Sequence, residues 1–163
     1  MPEQHTKRIL LVEDDVFLAE IYQTKLSENG FTVDLAHDGE EALEHARTNP
    51  PSLILLDLIL PKRNGFSVLE ELKGDPTFSA IPVIILSNLG ESRDMERGHA
   101  LGAAGYIIKA HFTPTEVLHE VQRVLEDGAT PAMAKSSIPP SEIPSSKSQT
   151  SSEVSDPLLD SKQ

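Results

Sequence analysis

Short apolar runs alternate with helical patterns along the first 127 residues of the chain. The apolar runs predict five strands, over residues 8–12, 31–36, 53–57, 82–86 and 105–108. Between them, apolar residues recur every three or four positions, which indicates amphipathic helices. The first helix is predicted around Leu18, Ile21, Tyr22 and Leu26, and the second over residues 40–48. The third begins near Asn64 and has Phe66, Leu69 and Leu72 on its inner face. The fourth is predicted over residues 91–101, and the fifth begins after Thr113.

Local signals mark several helix ends. Thr113 is followed by Pro114 and Glu116, which is the pattern of a capped helix start. Asp14 or Asp15 is expected to cap the first helix, and Gly30 is expected to end it.

Strands that alternate with helices predict an α/β fold with a doubly wound, five-stranded parallel sheet covered on both faces. The first, third and fourth strands are almost continuously apolar, as central strands buried on both faces are. The mixed strand 31–36 fits an edge position. Side chains with chemical roles are expected at the carboxyl edge of such a sheet.

The composition changes abruptly at Gly128. Residues 128–163 contain ten serines and five prolines in 36 positions, with only isolated apolar residues. We therefore predict one domain over residues 1–127 and a disordered Ser/Pro-rich tail over 128–163. The tail is either a solvated segment without a function of its own or the carrier of a short docking peptide at 157–159.

Charge and composition exclude several classes of function. Residues 1–127 hold 11 Lys and Arg against 22 Asp and Glu, a net charge of −11, which disfavours contact with nucleic acid. The absence of cysteine excludes disulfides and thiolate metal sites. The longest apolar stretches fall far short of the roughly 18 residues that a membrane span needs. The residues at the start do not have the pattern of a secretory signal, so none is expected. A cytoplasmic protein is expected.

Polar residues follow four of the predicted strands. They are Glu13, Asp14, Asp57, Ser87 and Lys109. Because parallel strands end at one edge of the sheet, these side chains are expected to converge. Three carboxylates close together suit a hard divalent cation with oxygen ligands, which predicts Mg²⁺.

Asp57 is the most informative of these residues. Its neighbours on both sides are apolar, and an ionisable group in such a stretch is costly unless it is paired or functional. A carboxylate beside a cation and a lysine meets the requirements for phosphoryl transfer, with an acyl phosphate formed on Asp57.

The motifs at the strand ends resemble those of the receiver domain of two-component response regulators, over about residues 6–127. They are ILLVEDD at 9–15, DLILP at 57–61 with Asn64 and Gly65, Ser87 with Asn88, and GYIIK at 105–109. The resemblance implies a flavodoxin-like strand order of 2-1-3-4-5. It also implies the site roles: Asp57 as phospho-acceptor, Asp14 as Mg²⁺ ligand, Glu13 as holder of metal-bound water, the Ile59 backbone carbonyl as a further ligand, Lys109 as phosphoryl contact, Ser87 as switch hydroxyl and Tyr106 as switch aromatic.

Two positions depart from the family pattern. Receivers usually follow the lysine with a cis proline, whereas Ala110 stands here, which allows Lys109 to be placed differently. Glu13 stands where many members have aspartate, a substitution that leaves metal binding expected. Ser87 and Tyr106 also have simpler interpretations, as a helix cap and as an edge-strand filler.

Other classes of protein are built on a similar sheet. An aspartyl-nucleophile phosphatase needs a second aspartate two residues beyond the first, where this chain has Ile59. A flavin module needs a phosphate cradle in the first loop, where Glu13, Asp14 and Asp15 would repel a phosphate. A receiver fold that acts as an interaction scaffold without phosphorylation stays open.

The expected function is therefore that of a stand-alone response regulator, not an enzyme with a separate substrate. A histidine kinase or phosphotransfer protein would donate the phosphoryl group. The fourth helix, with Met95, Ala100 and Leu101 as inner residues and Gly98 within it, should be weakly anchored. It would form, with the fifth strand and helix, the surface that binds a downstream protein.

Overall fold

The computed structural model of the chain describes residues 6–127, which form a parallel sheet flanked by helices on both faces. The strands are β1 Arg8–Val12, β2 Thr32–Ala36, β3 Leu53–Leu56, β4 Val83–Ser87 and β5 Gly105–Ile108. The helices are α1 Val16–Ser27, α2 Gly39–Thr48, α3 Gly65–Gly74, α4 Ser92–Ala100 and α5 Pro114–Asp127, with a short 3-10 helix at Lys109–His111.

The sheet has the order β2-β1-β3-β4-β5, and all of its pairings are parallel. The α/β class and the flavodoxin-like order are therefore confirmed. The mixed strand β2 lies at one edge, and the apolar strands β1, β3 and β4 lie inside. This placement follows from the burial of central strands on both faces.

Two apolar layers hold the helices against the sheet, because successive strand residues point to opposite faces. Leu10, Ile54 and Ile85 belong to a cluster with residues of α2 and α3, while Ile9, Leu55 and Ile84 belong to a cluster with residues of α1 and α5. The two clusters hold the helices on both faces of the sheet, and the parallel strands end together at the edge where the site is built.

Helix caps agree with the sequence signals. Asp15 caps α1, its Oδ1 accepting from the backbone N–H groups of Phe17 and Leu18 at 3.0 and 3.2 Å. At α5 the bonds are reciprocal, since Glu116 N–H donates to Thr113 Oγ1 at 3.2 Å and Thr113 N–H donates to Glu116 Oε1 at 2.8 Å. The predicted capping box is confirmed.

Some boundaries and inward-facing residues differ from the prediction. The fourth strand runs over 83–87 instead of 82–86, because Pro82 has no N–H for the ladder and Ser87 pairs with Ile108. Ile21 is 47% exposed, since the buried side of α1 is formed by Ala19, Tyr22 and Leu26. Ala100 is also exposed, two residues and about 200° around the helix from the buried Gly98.

The remaining predicted boundaries shift by one residue. The strand predicted over 31–36 begins at Thr32, the strand predicted over 53–57 ends at Leu56, and the helix predicted over 40–48 begins at Gly39. The helix predicted over 91–101 spans Ser92–Ala100. The predicted tail, with its docking peptide, lies outside the described residues.

Within residues 6–127, none of the helices combines the length and the hydrophobicity that a membrane crossing requires.

Candidate functional site

Three carboxylates meet at the carboxyl edge of the sheet. Carboxylate oxygens of Glu13, Asp14 and Asp57 all lie within 4.8 Å of one another. Glu13 and Asp57 are buried, while Asp14 is exposed at the surface. The structure therefore brings these three carboxylates together, as the sequence predicts.

The parallel ladder holds two of these residues in place. Asp57 N–H donates to the carbonyl of Val12 at 3.1 Å, and Glu13 N–H donates to the carbonyl of Ala36 at 2.9 Å. Each bond extends the pairing of neighbouring strands by one residue beyond the strand end. The carboxylates are thus mounted on hydrogen-bonded backbone, which limits their movement.

Lys109 joins the two buried carboxylates. Its Nζ lies 2.6 Å from Glu13 Oε1 and 2.9 Å from Asp57 Oδ2, and its side chain is only 9% exposed. The bond from Lys109 to Ala110 is trans, as are the other peptide bonds of the described residues. Without the usual proline, Lys109 still reaches Asp57, from the first position of the short 3-10 helix.

Burial and charge act against each other at this cluster. Burial raises the pKa of Glu13, and Lys109 offsets this only in part. Burial alone would lower the pKa of Lys109, but its contacts with Glu13 and Asp57 outweigh that effect, and the pKa of Lys109 is raised. Lys109 therefore stays protonated at neutral pH and supplies a fixed positive charge beside Asp57.

The loop after β3 is shaped around the backbone of Asp57. A Cβ on Gly65 would lie 2.3 Å from the carbonyl oxygen of Asp57 and 2.5 Å from Leu58 Cα, so only glycine fits there. Gly65 N–H donates to the Leu58 carbonyl at 2.9 Å, and Ile59 N–H donates to Asp57 Oδ1 at 3.2 Å. These contacts orient the carboxylate of Asp57.

Ser87 at the end of β4 and Tyr106 on the neighbouring strand β5 are linked through one residue. Ser87 is fully buried, and its Oγ accepts from Leu89 N–H at 3.2 Å. The Tyr106 hydroxyl donates to the Leu89 carbonyl. Tyr106 is 1% exposed although β5 is an edge strand, because α4 covers the ring. Its ring therefore points inward, toward the apolar cluster that includes Ile85.

The Tyr106 phenol is held in its neutral form. Burial raises the pKa of Tyr106, and the negative charges of Asp94 and Asp57 raise it further. A neutral phenol keeps its proton for the hydrogen bond to Leu89.

The donor set fits the Mg²⁺ that the sequence predicts. Hard divalent cations bind oxygen ligands, and the cluster offers carboxylate oxygens from three residues on two neighbouring loops. Asp14 is exposed and opens the cluster to solvent. Lys109 and the N–H of Asp15 contact the two carboxylate oxygens of Glu13.

Sequence reasoning missed several contacts around the site. It assigned Glu13 to metal-bound water but not to Lys109, and it gave Gly65 and Leu89 no hydrogen-bonding role. A glycine after an asparagine cap is a signal that could have indicated a close approach. The pairing of Glu13 with Lys109 joins residues 96 positions apart and leaves no local signal in the sequence.

Known proteins match this chain over the same region. The family model for the response regulator receiver domain matches residues 9–136. The probable transcriptional regulator ycf27 of Cyanophora paradoxa is 36% identical over 135 residues, which cover 83% of this chain and 55% of that protein. The transcriptional regulatory protein DltR of Streptococcus agalactiae is 39% identical, over 71% of this chain and 50% of that protein. The chain spans about half the length of these curated relatives.

Solved structures give the same assignment. The Francisella response regulator 1452 receiver domain matches with a TM-score of 0.69 and 31% identity, over 75% of this chain and 98% of that one. A signal receiver domain of a histidine kinase from Syntrophus aciditrophicus matches with a TM-score of 0.69 and 32% identity, over 75% and 92%. With the strand order and the carboxylate cluster, these matches establish that the chain belongs to the response regulator receiver domain family.

Proposed function

We propose that this protein is a cytoplasmic response regulator that accepts a phosphoryl group on Asp57 and changes its binding to other proteins in response. The observation that carries this proposal is the placement of the buried Asp57 carboxylate, 2.9 Å from Lys109 Nζ and within 4.8 Å of the oxygens of Glu13 and Asp14.

The arrangement of Asp57 and Lys109 suits transfer of a phosphoryl group onto Asp57. A carboxylate oxygen of Asp57 forms a bond to phosphorus while the bond from phosphorus to the donor breaks, which for a phosphohistidine is a phosphorus–nitrogen bond. The donor imidazole keeps that electron pair and leaves as a neutral ring after taking a proton. Lys109 stays protonated and neutralises charge on the phosphoryl oxygens, as phosphoryl transfer requires.

Asp14, Asp57 and the Ile59 carbonyl would hold Mg²⁺, and Glu13 would hold a water molecule bound to it. The ion, when bound, supplies charge neutralisation for the phosphoryl group. Lys109 would share the Glu13 carboxylate with that water, because its Nζ lies 2.6 Å from Oε1.

We expect the chain to undergo phosphorylation on its own Asp57 and not to convert a separate substrate. The position two residues beyond Asp57, where a phosphatase of the aspartyl-nucleophile class carries its second aspartate, is Ile59. Its side chain is 60% exposed and cannot donate a proton. The chain is therefore proposed to act as a signalling domain.

Exposed apolar side chains follow the carboxylates in both loops of the site. Val16, Phe17, Ile21 and Ile59 are the large hydrophobic residues exposed in the described part of the chain, at 65, 80, 47 and 60%. Val16 and Phe17 follow Glu13 and Asp14 at the start of α1, and Ile59 lies in the neighbouring loop. Exposed apolar groups around an acidic pocket suit docking of a histidine kinase or phosphotransfer protein.

Output is proposed to pass to a downstream protein through α4, β5 and α5. The relatives ycf27 and DltR are named as transcriptional regulators. Direct contact of residues 1–127 with nucleic acid is disfavoured by their net charge of −11. We therefore propose a protein partner for this domain.

Labelling with a small phosphodonor tests the proposal. Acetyl phosphate with Mg²⁺ should add one hydroxylamine-sensitive phosphoryl group to the wild-type chain, detected by intact mass, and Asp57→Asn should abolish it. Asp75→Asn, which changes an aspartate in the turn after α3, is the matched control and should be labelled normally. Stoichiometric labelling of Asp57→Asn would contradict the assignment, and an unlabelled wild type would favour the phosphorylation-independent scaffold.

A further inference from the structure

The loop between β3 and α3 contains a strained turn at residues 61–63. Arg63 N–H donates to the carbonyl of Pro61 at 2.6 Å, and the residue between them, Lys62, has a φ of 68°. A bond between residues two positions apart closes a γ-turn, and the form with a positive central φ is rare and strained. Such strain persists only where the surrounding structure holds it. The turn 61–63 therefore needs contacts that keep it in place.

The first turn of α2 supplies such contacts. Gly39 N–H donates to the first carbonyl of the turn 61–63 at 3.4 Å, and Lys62 Nζ lies 3.5 Å from Asp38 Oδ2. Arg63 Nη1 lies 3.7 Å from Glu40 Oε2. Each residue of the turn thus contacts one of three consecutive residues at the start of α2.

Gly39 allows a close approach between the turn and α2. A Cβ at this position would lie 2.5 Å from Arg63 Cβ, 2.9 Å from the Arg63 carbonyl oxygen and 2.9 Å from Val68 Cγ2. The carbonyl oxygen belongs to the backbone and Cβ is bonded to it, so neither atom can swing aside as the end of a long side chain can. A methyl group at position 39 therefore fits only if the turn and the start of α2 move apart.

Arg63 also ties the turn to α3. Its Nη2 donates to Ser67 Oγ at 3.0 Å and to Glu71 Oε1 at 2.7 Å. The Arg63 side chain is only 27% exposed, so these bonds are partly shielded from solvent. The turn 61–63 is thus held between α2 and α3.

We propose that Gly39 and Arg63 are positioning residues for the Ile59 carbonyl, a role that rests on the proposed use of that carbonyl as a Mg²⁺ ligand. Ile59 lies in a backbone loop that is closed at its base, because Gly65 N–H donates to the Leu58 carbonyl at 2.9 Å. With the base fixed, the place of the turn decides the path of the backbone between them. Ile59 lies on that path, directly after the base and two residues before the turn. The contacts that hold the turn would therefore set the direction of the Ile59 carbonyl.

NMR of the Ile59 carbonyl tests this positioning without any metal. Its carbon-13 resonance, read through the N–H of Leu60, reports the orientation of the peptide group between these two residues. Gly39→Ala should move this resonance away from its wild-type position. Ala46→Gly is the matched control, because it also changes one methyl group at a buried position of α2 but in the last turn of the helix. It should leave the Ile59 resonance in place.

Mg²⁺ affinity tests the consequence for the proposed metal site. Titration with magnesium chloride at constant ionic strength should give a Kd about tenfold weaker for Gly39→Ala than for the wild type, since the loss of an outer contact costs a metal site at least this much. Ala46→Gly should keep the wild-type Kd although it destabilises the helix. A weaker Kd in Gly39→Ala therefore cannot be attributed to stability alone.

A second pair of variants decides the question if Gly39→Ala does not fold. Arg63→Ala removes the guanidinium contacts of the turn with both helices. It should move the Ile59 resonance and weaken the Kd about threefold, because partly exposed ion pairs are modest in strength. Arg47→Ala removes another ion pair of Glu71, at 3.6 Å, and keeps the guanidinium of Arg63. It should change neither measurement.

Two results would overturn the proposal. They are an Ile59 resonance or a Kd that stays at the wild-type value in Arg63→Ala and in folded Gly39→Ala, and changes as large in Ala46→Gly or Arg47→Ala. A wild type that binds no Mg²⁺ would refute the metal site of the proposed function. The carbonyl resonances would still decide whether Gly39 and Arg63 position Ile59.

Discussion

Ile59 and Leu89 are both apolar and both stand two residues beyond a site residue, yet they differ in exposure. Ile59 is 60% exposed beside Asp57, whereas Leu89 packs against the core cluster that includes Ile85 and Tyr106. Neither side chain can orient a water molecule for in-line attack on a phosphorylated Asp57. We therefore predict slow self-hydrolysis, with an acyl phosphate lifetime of many minutes.

Polar substitutions at these positions test this prediction. Ile59→Asn with Leu89→Glu should shorten the lifetime at least severalfold, measured as decay of the phosphorylated mass after removal of the phosphodonor. Because Ile59 is the exposed member, Ile59→Asn alone should give most of the effect. Ile21→Asn, a comparable change on exposed α1, is the control, and decay that is equal or slower in the Ile59 variants would remove the shielding argument.

At the level of residues, the sequence predicted which side chains gather but not which ones touch. Glu13, Asp14, Asp57 and Lys109 each follow a strand, and parallel strands must end at one edge, so their convergence was predictable. Which carboxylate oxygen meets Lys109 depends on side-chain length and on the 3-10 turn after β5. Such packing details leave no periodic signal in a single sequence.

At the level of elements, α4 differs from α1, α2 and α3 in the capping of its first turn. Asp15, Asp38 and Asn64 each accept backbone N–H bonds at the starts of α1, α2 and α3, while Glu91 makes no such bond at the start of α4. Glu91 instead forms an ion pair with Arg93 at 2.9 Å, and both side chains are exposed to solvent. The weak anchoring expected of α4 thus has a second cause besides its small buried face.

A cap should therefore stabilise this helix. Glu91→Ser is predicted to increase the free energy of unfolding by about 0.5–1 kcal/mol, because serine can accept from the orphan N–H groups of the first turn. Urea denaturation measures the change, and amide hydrogen exchange should slow within 92–95. Glu91→Ala removes the same surface ion pair without supplying a cap, and a gain as large in Glu91→Ala would contradict the capping argument.

The positions of strands and helices were predictable because their patterns recur along the chain. The residues that face inward from a short helix were less predictable. The five strands and five helices were found because alternation and capping signals recur along the chain. Ile21 and Ala100 were misplaced because a helix of about three turns presents several apolar residues, and tertiary contacts choose which of them face inward. In α4 the buried residue is Gly98, which a pattern of hydrophobic residues does not reveal.

At the scale of the whole molecule, the negative charge gathered at one edge predicts a response to Mg²⁺. An ion that binds only the folded protein stabilises it by about 2.7 kcal/mol at a hundredfold excess over its Kd, which is a rise in Tm of several degrees. Asp14→Asn, which removes the exposed carboxylate of the cluster, should lose most of this rise. The comparison is made at constant ionic strength, and an equal Mg²⁺ response in Asp14→Asn would place the ion elsewhere.

The folded domain should need no residue beyond Asp127. Both apolar clusters draw their members from residues 9–125, and α5 ends at Asp127, whereas the family match continues to residue 136. Truncation after Asp127 and truncation after Ser136 should therefore give the same Tm as the full chain and the same acetyl phosphate labelling. A loss of 1 kcal/mol would lower the Tm of a domain of this size by about 3–6 °C, which calorimetry resolves. A Tm that falls for the first truncation but not the second would place the domain boundary between residues 127 and 136, and a fall for both would show that the tail contributes to the folded core.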